Sequence, residues 1–232
     1  MISVSGNYWE EEKINTRIIE KVKFDYNLSS INAKQLISKK FNNEEIFLID
    51  NNIKLNNPFL KKLDFIKAVE LLDYSIKNQE LICIIGDYDV DGTISTSLLV
   101  NFLKFLKASY FYYIPNRFKD GYGSSIKLVK KLLLRKPKLV IMVDNGSTSN
   151  DAIDYLNQID VKSIIIDHHE TYRPYPKSNI FINPKKISDY SNFDYFCSAG
   201  LTYFVIDLYL KKKKLNLDFS KNLHLVLLAI VS

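Results

Sequence analysis

Cysteine and arginine are scarce in this sequence of 232 residues, and it contains no long apolar run. The two cysteines, Cys83 and Cys197, stand far apart among apolar residues, which excludes a metal knuckle or a disulfide framework and suits a reducing compartment. The longest apolar stretch, Leu225 to Val231, falls far short of the roughly 20 residues that a membrane helix requires. The segment Met1 to Glu12 lacks the basic flank and apolar block of a secretory signal. A soluble, cytoplasmic chain without a membrane partner is the expectation. Arginine occurs only as Arg17, Arg117, Arg135 and Arg173, so lysine carries most of the positive charge. At 47% hydrophobic and 25% charged residues, fibrous, collagen-like and wholly disordered chains are excluded. The 32 basic against 26 acidic residues give a formal charge of +6, which favours polyanionic partners. An A/T-biased coding sequence yields the same Lys, Ile and Asn richness, so charge alone names no partner.

What is present is a change of rhythm along the chain. Residues 1–78 read as a helical N-terminal region. Glu10–Tyr26 spaces Ile14, Ile18, Ile19, Val22 and Phe24 at near-helical intervals, and Lys62–Lys77 does the same with Phe65, Ile66, Val69, Leu72 and Ile76. Asn27–Ser30 and Asp50–Asn57 are rich in turn formers. From Leu81 short apolar runs alternate with amphipathic segments. Strands are predicted at Leu81–Gly86, Ser109–Ile114, Lys138–Val143, Lys162–Ile166 and Asn179–Ile182, and helices at Ile94–Leu106, Ser125–Leu134, Ser149–Ile159, Ser198–Leu210 and from Phe219 onward. Ser147, Thr148 and Ser149 offer N-cap hydroxyls for the third of these helices. Such alternation predicts an α/β fold, a parallel β-sheet with flanking helices, over residues 79–232. No internal repeat is visible. The last helix stops while still apolar, which reads as a truncated chain.

Ligands of open α/β sheets gather at the carboxyl ends of the strands. Three predicted strands deliver acids there: Asp87-Tyr88-Asp89-Val90-Asp91-Gly92, Asp144-Asn145-Gly146, and Asp167-His168-His169-Glu170. Converging aspartates repel one another, and a bound cation is the least costly way to keep them ionised together. Oxygen-rich ligation with one imidazole and no thiolate suits Mn²⁺ or Mg²⁺ better than Zn²⁺. Two ions sharing a carboxylate match in-line phosphoryl displacement, hence phosphoester hydrolysis. A lone aspartate after a strand is ordinarily a helix cap or turn former. That competing reading must hold separately at three strand ends, and it leaves His168 and His169 without a role. Asp87 has the further alternative of a supporting partner or cap.

Taken in order, Gly86-Asp-Tyr-Asp-Val-Asp-Gly92, Val143-Asp-Asn-Gly146 and Ile166-Asp-His-His169 resemble the first three motifs of the DHH phosphoesterase superfamily, in the form used by its RecJ-like single-strand DNA exonucleases. Tyr113 to Gly123, Ile182 to Lys185, Ser198 to Thr202 and the placement of Trp9 are similar to that branch as well. The resemblance implies that Asp89 and Asp91 each hold a metal ion, Asp144 bridges the two, His168 ligates the second, and His169 faces the scissile phosphate. Asp144, His168 and His169 are then the catalytic set, with Asp87 supporting it directly or through water. Arg117 would contact a phosphate in bidentate fashion, on a substrate-binding segment with Gly121, Tyr122 and Gly123; a surface arginine is its alternative. The implied activity is 5′-to-3′ removal of nucleotides from single-stranded DNA in recombination and repair, with Mn²⁺ or Mg²⁺. The implied partners are single-stranded DNA and, among proteins, a single-strand-binding protein and a helicase. One departure stands out. The family's fourth motif, an aspartate after a helix resembling Leu225–Ser232, is not reached, nor is the second lobe or an oligonucleotide-binding module. The expectation is an N-terminal fragment with an incomplete two-ion site and impaired activity.

Two other readings compete: a small-substrate DHH phosphoesterase, acting on short oligonucleotides, cyclic dinucleotides or phosphoadenosine phosphate, and a non-catalytic DNA-binding scaffold. The N-terminal helices and the Asp-Tyr-Asp-Val-Asp-Gly form argue against the first, the intact acidic set against the second. Tyr110 to Tyr113 read as core aromatics of a strand covered on both faces. Tyr88 and Tyr122 are the better stacking candidates. Lys211 to Lys214 read as solvated lysines complementing a helix C-terminus, His224 as a core or boundary residue, and Cys83 as buried and inert.

Overall fold

The computed structural model describes residues 4–6, 8, 10, 13–42, 56–121, 123–186 and 193–232. Trp9, Tyr122 and most of the turn-rich stretch 50–57 therefore lie outside the described residues. The chain divides into two compact units, Met1–Asn56 and Asn57–Ser232.

In the smaller unit two short helices pack on each other, α1 (Thr16–Asp25) and α2 (Ser30–Ser38). Each begins where a polar side chain satisfies an orphan N–H: Asn15 accepts from Arg17 N at 2.9 Å and Ser29 from Asn32 N at 3.1 Å. The helix expected from Glu10 thus starts only at Thr16, after the cap.

The larger unit carries a five-stranded sheet in the order β2-β1-β3-β4-β5, with every pairing parallel. Its strands are β1 (Ile82–Ile85), β2 (Tyr110–Tyr113), β3 (Leu139–Val143), β4 (Lys162–Ile166) and β5 (Ile180–Ile182). The helices are α3 (Leu63–Lys77), α4 (Val90–Phe105), α5 (Ile126–Leu132, continued by a 3-10 turn at Leu133–Arg135), α6 (Asn150–Gln158), α7 (Ser198–Lys213) and α8 (Leu223–Val231). Because strand side chains alternate, Ile82, Ile84, Leu139, Ile141 and Val143 join the core beneath α3, α4, α7 and α8, while Cys83, Ile85, Val140 and Met142 join the one beneath α5 and α6. Each such aliphatic side chain contributes about 1.5–3 kcal/mol on burial. The α/β sheet with flanking helices read from the sequence is the observed architecture. Helix α3, grouped by sequence with the N-terminal region, belongs to the larger unit: Phe65 stacks on Phe59 at 4.3 Å, and Val69 and Leu72 are in the core.

Several local expectations are corrected. On the edge strand β2, Phe111 is buried in one core and Tyr110 and Tyr113 pack against the two cores as read, but Tyr112 is 55% exposed. Helix α4 starts at Val90, four residues earlier than the apolar period suggests, because Asp89 caps it through Gly92 N at 2.9 Å and its first turn is polar. No hydroxyl caps α6, whose N-cap Ser149 makes no side-chain bond to it; Ser147 is engaged elsewhere. Helix α7 continues into the lysine run, where Lys211 pairs with Asp207 at 2.8 Å and Lys213 with Asp73 at 2.6 Å. His224 is exposed, and Cys83 is buried with its thiol pushed up to about 12 by burial.

Candidate metal centre

Parallel pairing brings the carboxyl ends of β1, β3 and β4 to one edge, and each contributes a loop. After β1 the chain closes on itself. A Cβ on Gly92 would stand 2.6 Å from the backbone nitrogen of Asp87, and one on Gly86 would stand 2.1 Å from Thr96 Oγ1. Only glycine permits that approach. The tight loop puts Asp89 at the N-cap of α4 and Asp91 in its first turn.

After β3, Asp144 adopts a left-handed backbone, φ 61°, which is uncommon outside glycine. The next residue fixes its place. Buried Asn145 donates to the carbonyls of Ile85 and Gly86, both at 3.1 Å, and of Val143 at 2.8 Å, and its Oδ1 accepts from Ser124 Oγ at 2.5 Å. The ends of β1 and β3 are thereby tied together.

After β4, buried Asp167 organises the histidines. Its Oδ1 accepts from His168 N at 2.7 Å and lies 2.8 Å from His169 Nδ1, while Oδ2 accepts from Ser147 N at 3.0 Å. Asn183, just beyond β5, donates to Ser147 Oγ at 2.8 Å and to the His169 carbonyl at 2.9 Å.

At the centre His168 Nε2 is 3.4 Å from Asp144 Oδ1 and 3.5 Å from Asp91 Oδ2, and His169 Nδ1 is 3.9 Å from Asp144 Oδ1. Asp144, His168 and His169 offer ligand atoms that all lie within 4.8 Å of one another. Asp91 also receives the N-terminus of α7, from Ser198 N and Ala199 N, each at 2.8 Å. Ser198 Oγ donates to Asp144 Oδ1 at 3.1 Å, whereas Asp144 Oδ2 is fully buried without a hydrogen-bond partner. A buried acceptor left unsatisfied is costly, and a cation removes that cost.

The electrostatics follow from this crowding. The Asp144 carboxyl is pushed up to about 10, by burial first and then by the carboxylates of Asp91 and Asp89. Burial also raises Asp87, with further repulsion from Asp89. For Asp167 burial acts upward but is outweighed by its bonds to His169 and Ser147, which hold it at about 2. In turn the Asp167 bond raises His169 to about 9. Burial lowers His168 despite the pull of Asp91, which favours a neutral imidazole able to ligate.

Two clefts flank the cluster. One of about 740 Å³ is lined by His169, Asp167, Asn145, Ser147 and the entry to α5; the other, of about 330 Å³, by Asp89, Asp91, His168, Cys197 and the end of α8.

Of the expected site residues, Asp91, Asp144, His168 and His169 converge, and Asp89 adjoins Asp144. Asp87 is buried beside them, its Oδ1 accepting from Tyr88 N at 2.6 Å, so it sits at the margin of the ligand cluster. Arg117 is exposed with its guanidinium 5.5 Å from the Tyr88 ring centre. Gly121 and Gly123 both have positive φ, and only Gly123 lines the larger cleft. Tyr122 lies outside the described residues. Sequence reasoning assigns no role to Asp167, although it ends a strand like the other acids, and none to Asn145 or Asn183.

Residues 81–230 match the sequence model of the DHH family, N-terminal domain. The chain belongs to the DHH family. Within that family it is RecJ-like. It is 28% identical over 198 residues to the single-stranded-DNA-specific exonuclease RecJ of Bacillus subtilis, covering 84% of this chain and 25% of that protein. To the Escherichia coli exonuclease of the same name it is 33% identical over 137 residues, 59% of this chain and 24% of that protein. The DHH chain thus spans about a quarter of the length of these relatives. A crystal structure of exonuclease RecJ bound to manganese superposes with TM-score 0.66 at 25% identity, over 72% of this chain and 42% of the other. RecJ of Thermus thermophilus in complex with Mn²⁺ shares the fold with TM-score 0.71 at 20% identity, over 93% of this chain and 30% of that one. Among the described residues no helix is long and apolar enough to cross a membrane.

Proposed function

We propose that this chain is the metal-binding lobe of a phosphodiesterase that shortens single-stranded DNA from its 5′ end. The observation that carries the reading is the Asp144 carboxylate, buried at the meeting of three loops with one oxygen unsatisfied and imidazole and carboxylate groups around it. Asp89, Asp91, Asp144 and His168 would hold divalent ions, Mn²⁺ or Mg²⁺, an all-oxygen-and-imidazole set that suits such ions. Bound divalent ions supply Lewis-acid charge and lower the pKa of an attacking water. The chain's own groups do the rest. His169, kept protonated by Asp167, presents positive charge to the phosphate; Asp167 fixes its ring, and Asp91 ties the cluster to α7. Arg117, backed by the Tyr88 ring, suits a phosphate of the bound strand. The DNA substrate rests on likeness to the exonucleases above, and the polarity on what the motif resemblance to the RecJ-like branch implies.

The test is a single-turnover assay with excess protein, Mn²⁺ and single-stranded oligonucleotides labelled at either end. The 5′ label should leave first as short products, and Asp144→Ala should abolish the reaction. Hydrolysis of dinucleotides without any attack on longer strands would replace this reading by the small-substrate one. Metal-independent or mutation-insensitive cleavage would refute it.

A further inference from the structure

The large cleft reaches the N-terminus of helix α5, where Ser124, Ser125 and Ile126 help to line it. That helix has two opposed faces. Leu128, Val129 and Leu132 are buried, whereas Lys127, Lys130 and Lys131 are exposed and are followed by exposed Arg135 on the 3-10 turn. Spacings of three and four residues put the lysines on one face, and at about 1.5 Å per residue the four cations extend roughly 12 Å from the cleft. No acidic residue occurs between Asp120 and Asp144. Among the described residues Lys131 reaches an acid only through a hydroxyl: its Nζ donates to Tyr113 Oη at 3.2 Å, and that hydroxyl donates at 2.7 Å to Asp120, which also accepts from Asn116 N at 2.9 Å.

Three of these cations rest on aromatic rings. Lys130 Nζ lies 4.7 Å from the Tyr155 ring centre, the Arg135 guanidinium carbon 4.0 Å from that of Phe111, and Lys131 Nζ 4.9 Å from that of Tyr113, where it also donates to the ring hydroxyl at 3.2 Å. An aromatic face orders a long cationic side chain without neutralising it, so less rotamer freedom remains to be lost when an anion binds. The lysines at the end of α7 differ, since Lys211 and Lys213 are paired with Asp207 and Asp73.

We propose that the exposed face of α5 is a track for the phosphate backbone of the nucleic acid strand where it runs beyond the large cleft. This rests on the proposed nuclease reading and extends it: the track supplies length-dependent, sequence-independent affinity, apart from the chemistry at Asp144. A row of exposed cations with no direct ion pair among the described residues, starting one residue beyond the cleft lining, fits a regular polyanion better than an acidic peptide, whose charges are irregularly spaced.

The test uses the 232-residue chain without divalent metal, and measures binding of a 20-mer and a 4-mer of single-stranded DNA by fluorescence anisotropy across a salt series. The track variant carries Lys127→Gln, Lys130→Gln, Lys131→Gln and Arg135→Gln. A control loses the same charge elsewhere, through Lys211→Gln, Lys212→Gln, Lys214→Gln and Lys221→Gln. Each phosphate contact contributes about 0.7 to the slope of log K against log salt, so the track variant should lose about 3 from the 20-mer slope and bind it at least tenfold more weakly. The control should stay within twofold, and neither variant should change 4-mer binding. Lys127→Arg with Lys130→Arg and Lys131→Arg should keep the parent slope, which separates loss of charge from loss of fold. Equal slopes for track variant and control would overturn the track. Mn²⁺-dependent hydrolysis of bis(p-nitrophenyl) phosphate, measured in parallel, reports on the nuclease reading alone.

Discussion

Asp144 is buried, left-handed in its backbone and short of one hydrogen bond, three costs borne by one side chain. With its carboxyl held up to about 10 in the metal-free chain, it keeps its proton at neutral pH, so a binding ion must displace that proton. Calorimetry of Mn²⁺ binding near pH 7.5 in buffers of different ionisation enthalpy should report about one proton released per site, and none for Asp144→Asn. The same shift sets a stability trend. Asp144 ionises near 3.8 when unfolded but near 10 when folded, and His169 moves from 6.5 to about 9, so rising pH favours the unfolded chain between roughly 4 and 10 through Asp144 and between roughly 6.5 and 9 through His169. Asp167 is depressed to about 2, and its stabilising contribution is complete above about 4 and lost as pH falls toward 2. The metal-free melting temperature should therefore be highest near pH 4 and decline toward pH 9. A flat profile in EDTA would contradict the assignment. Asp167→Asn should return His169 toward 6.5 in an NMR titration; an unchanged value near 9 would mean that another group protonates it.

At the scale of elements, the loop after β1 and the end of β3 are held by contacts that tolerate little change. Gly92→Ala would push a methyl group into the Asp87 backbone and displace the cap of α4, so a lower melting temperature and weaker Mn²⁺ binding should appear together. Asn145→Ala would strand the carbonyls of Ile85, Gly86 and Val143, a loss of about 2–4 kcal/mol by urea unfolding. Asn145→Asp would present the same carbonyls with an acceptor and should fare no better. Much of this layer is legible in the sequence. The strands stand out as short apolar runs because both faces of the sheet are covered, and the acids stand out because each follows such a run. Other features are hidden for a common reason. The start of α4 has a polar first turn, so the apolar period begins late. Asn145, Asp167 and Asn183 act on partners far along the chain, such as the Ile85 carbonyl, the Ser147 amide and the His169 carbonyl, and no local pattern marks such pairings. Tyr112 reads as core from its own strand because strand order, which makes β2 an edge, is not written in any one strand.

Over the whole larger unit, carboxylates converge at one edge of the sheet while exposed cations line α5 beside its cleft, an arrangement suited to an anionic polymer bridged to the acids by metal. Burial of Asp144 beside the carboxylates of Asp91 and Asp89 makes its ionised form costly in the folded chain, a cost that bound cations offset, so stability and ion binding must be linked. The most direct measurement is a melting curve of the 232-residue chain and of Asp144→Ala across a Mn²⁺ titration at pH 7.5. The parent should gain several degrees in a saturable manner and Asp144→Ala should gain nothing. A parent that does not respond to Mn²⁺, or a variant that responds equally, would contradict a metal centre built on Asp144.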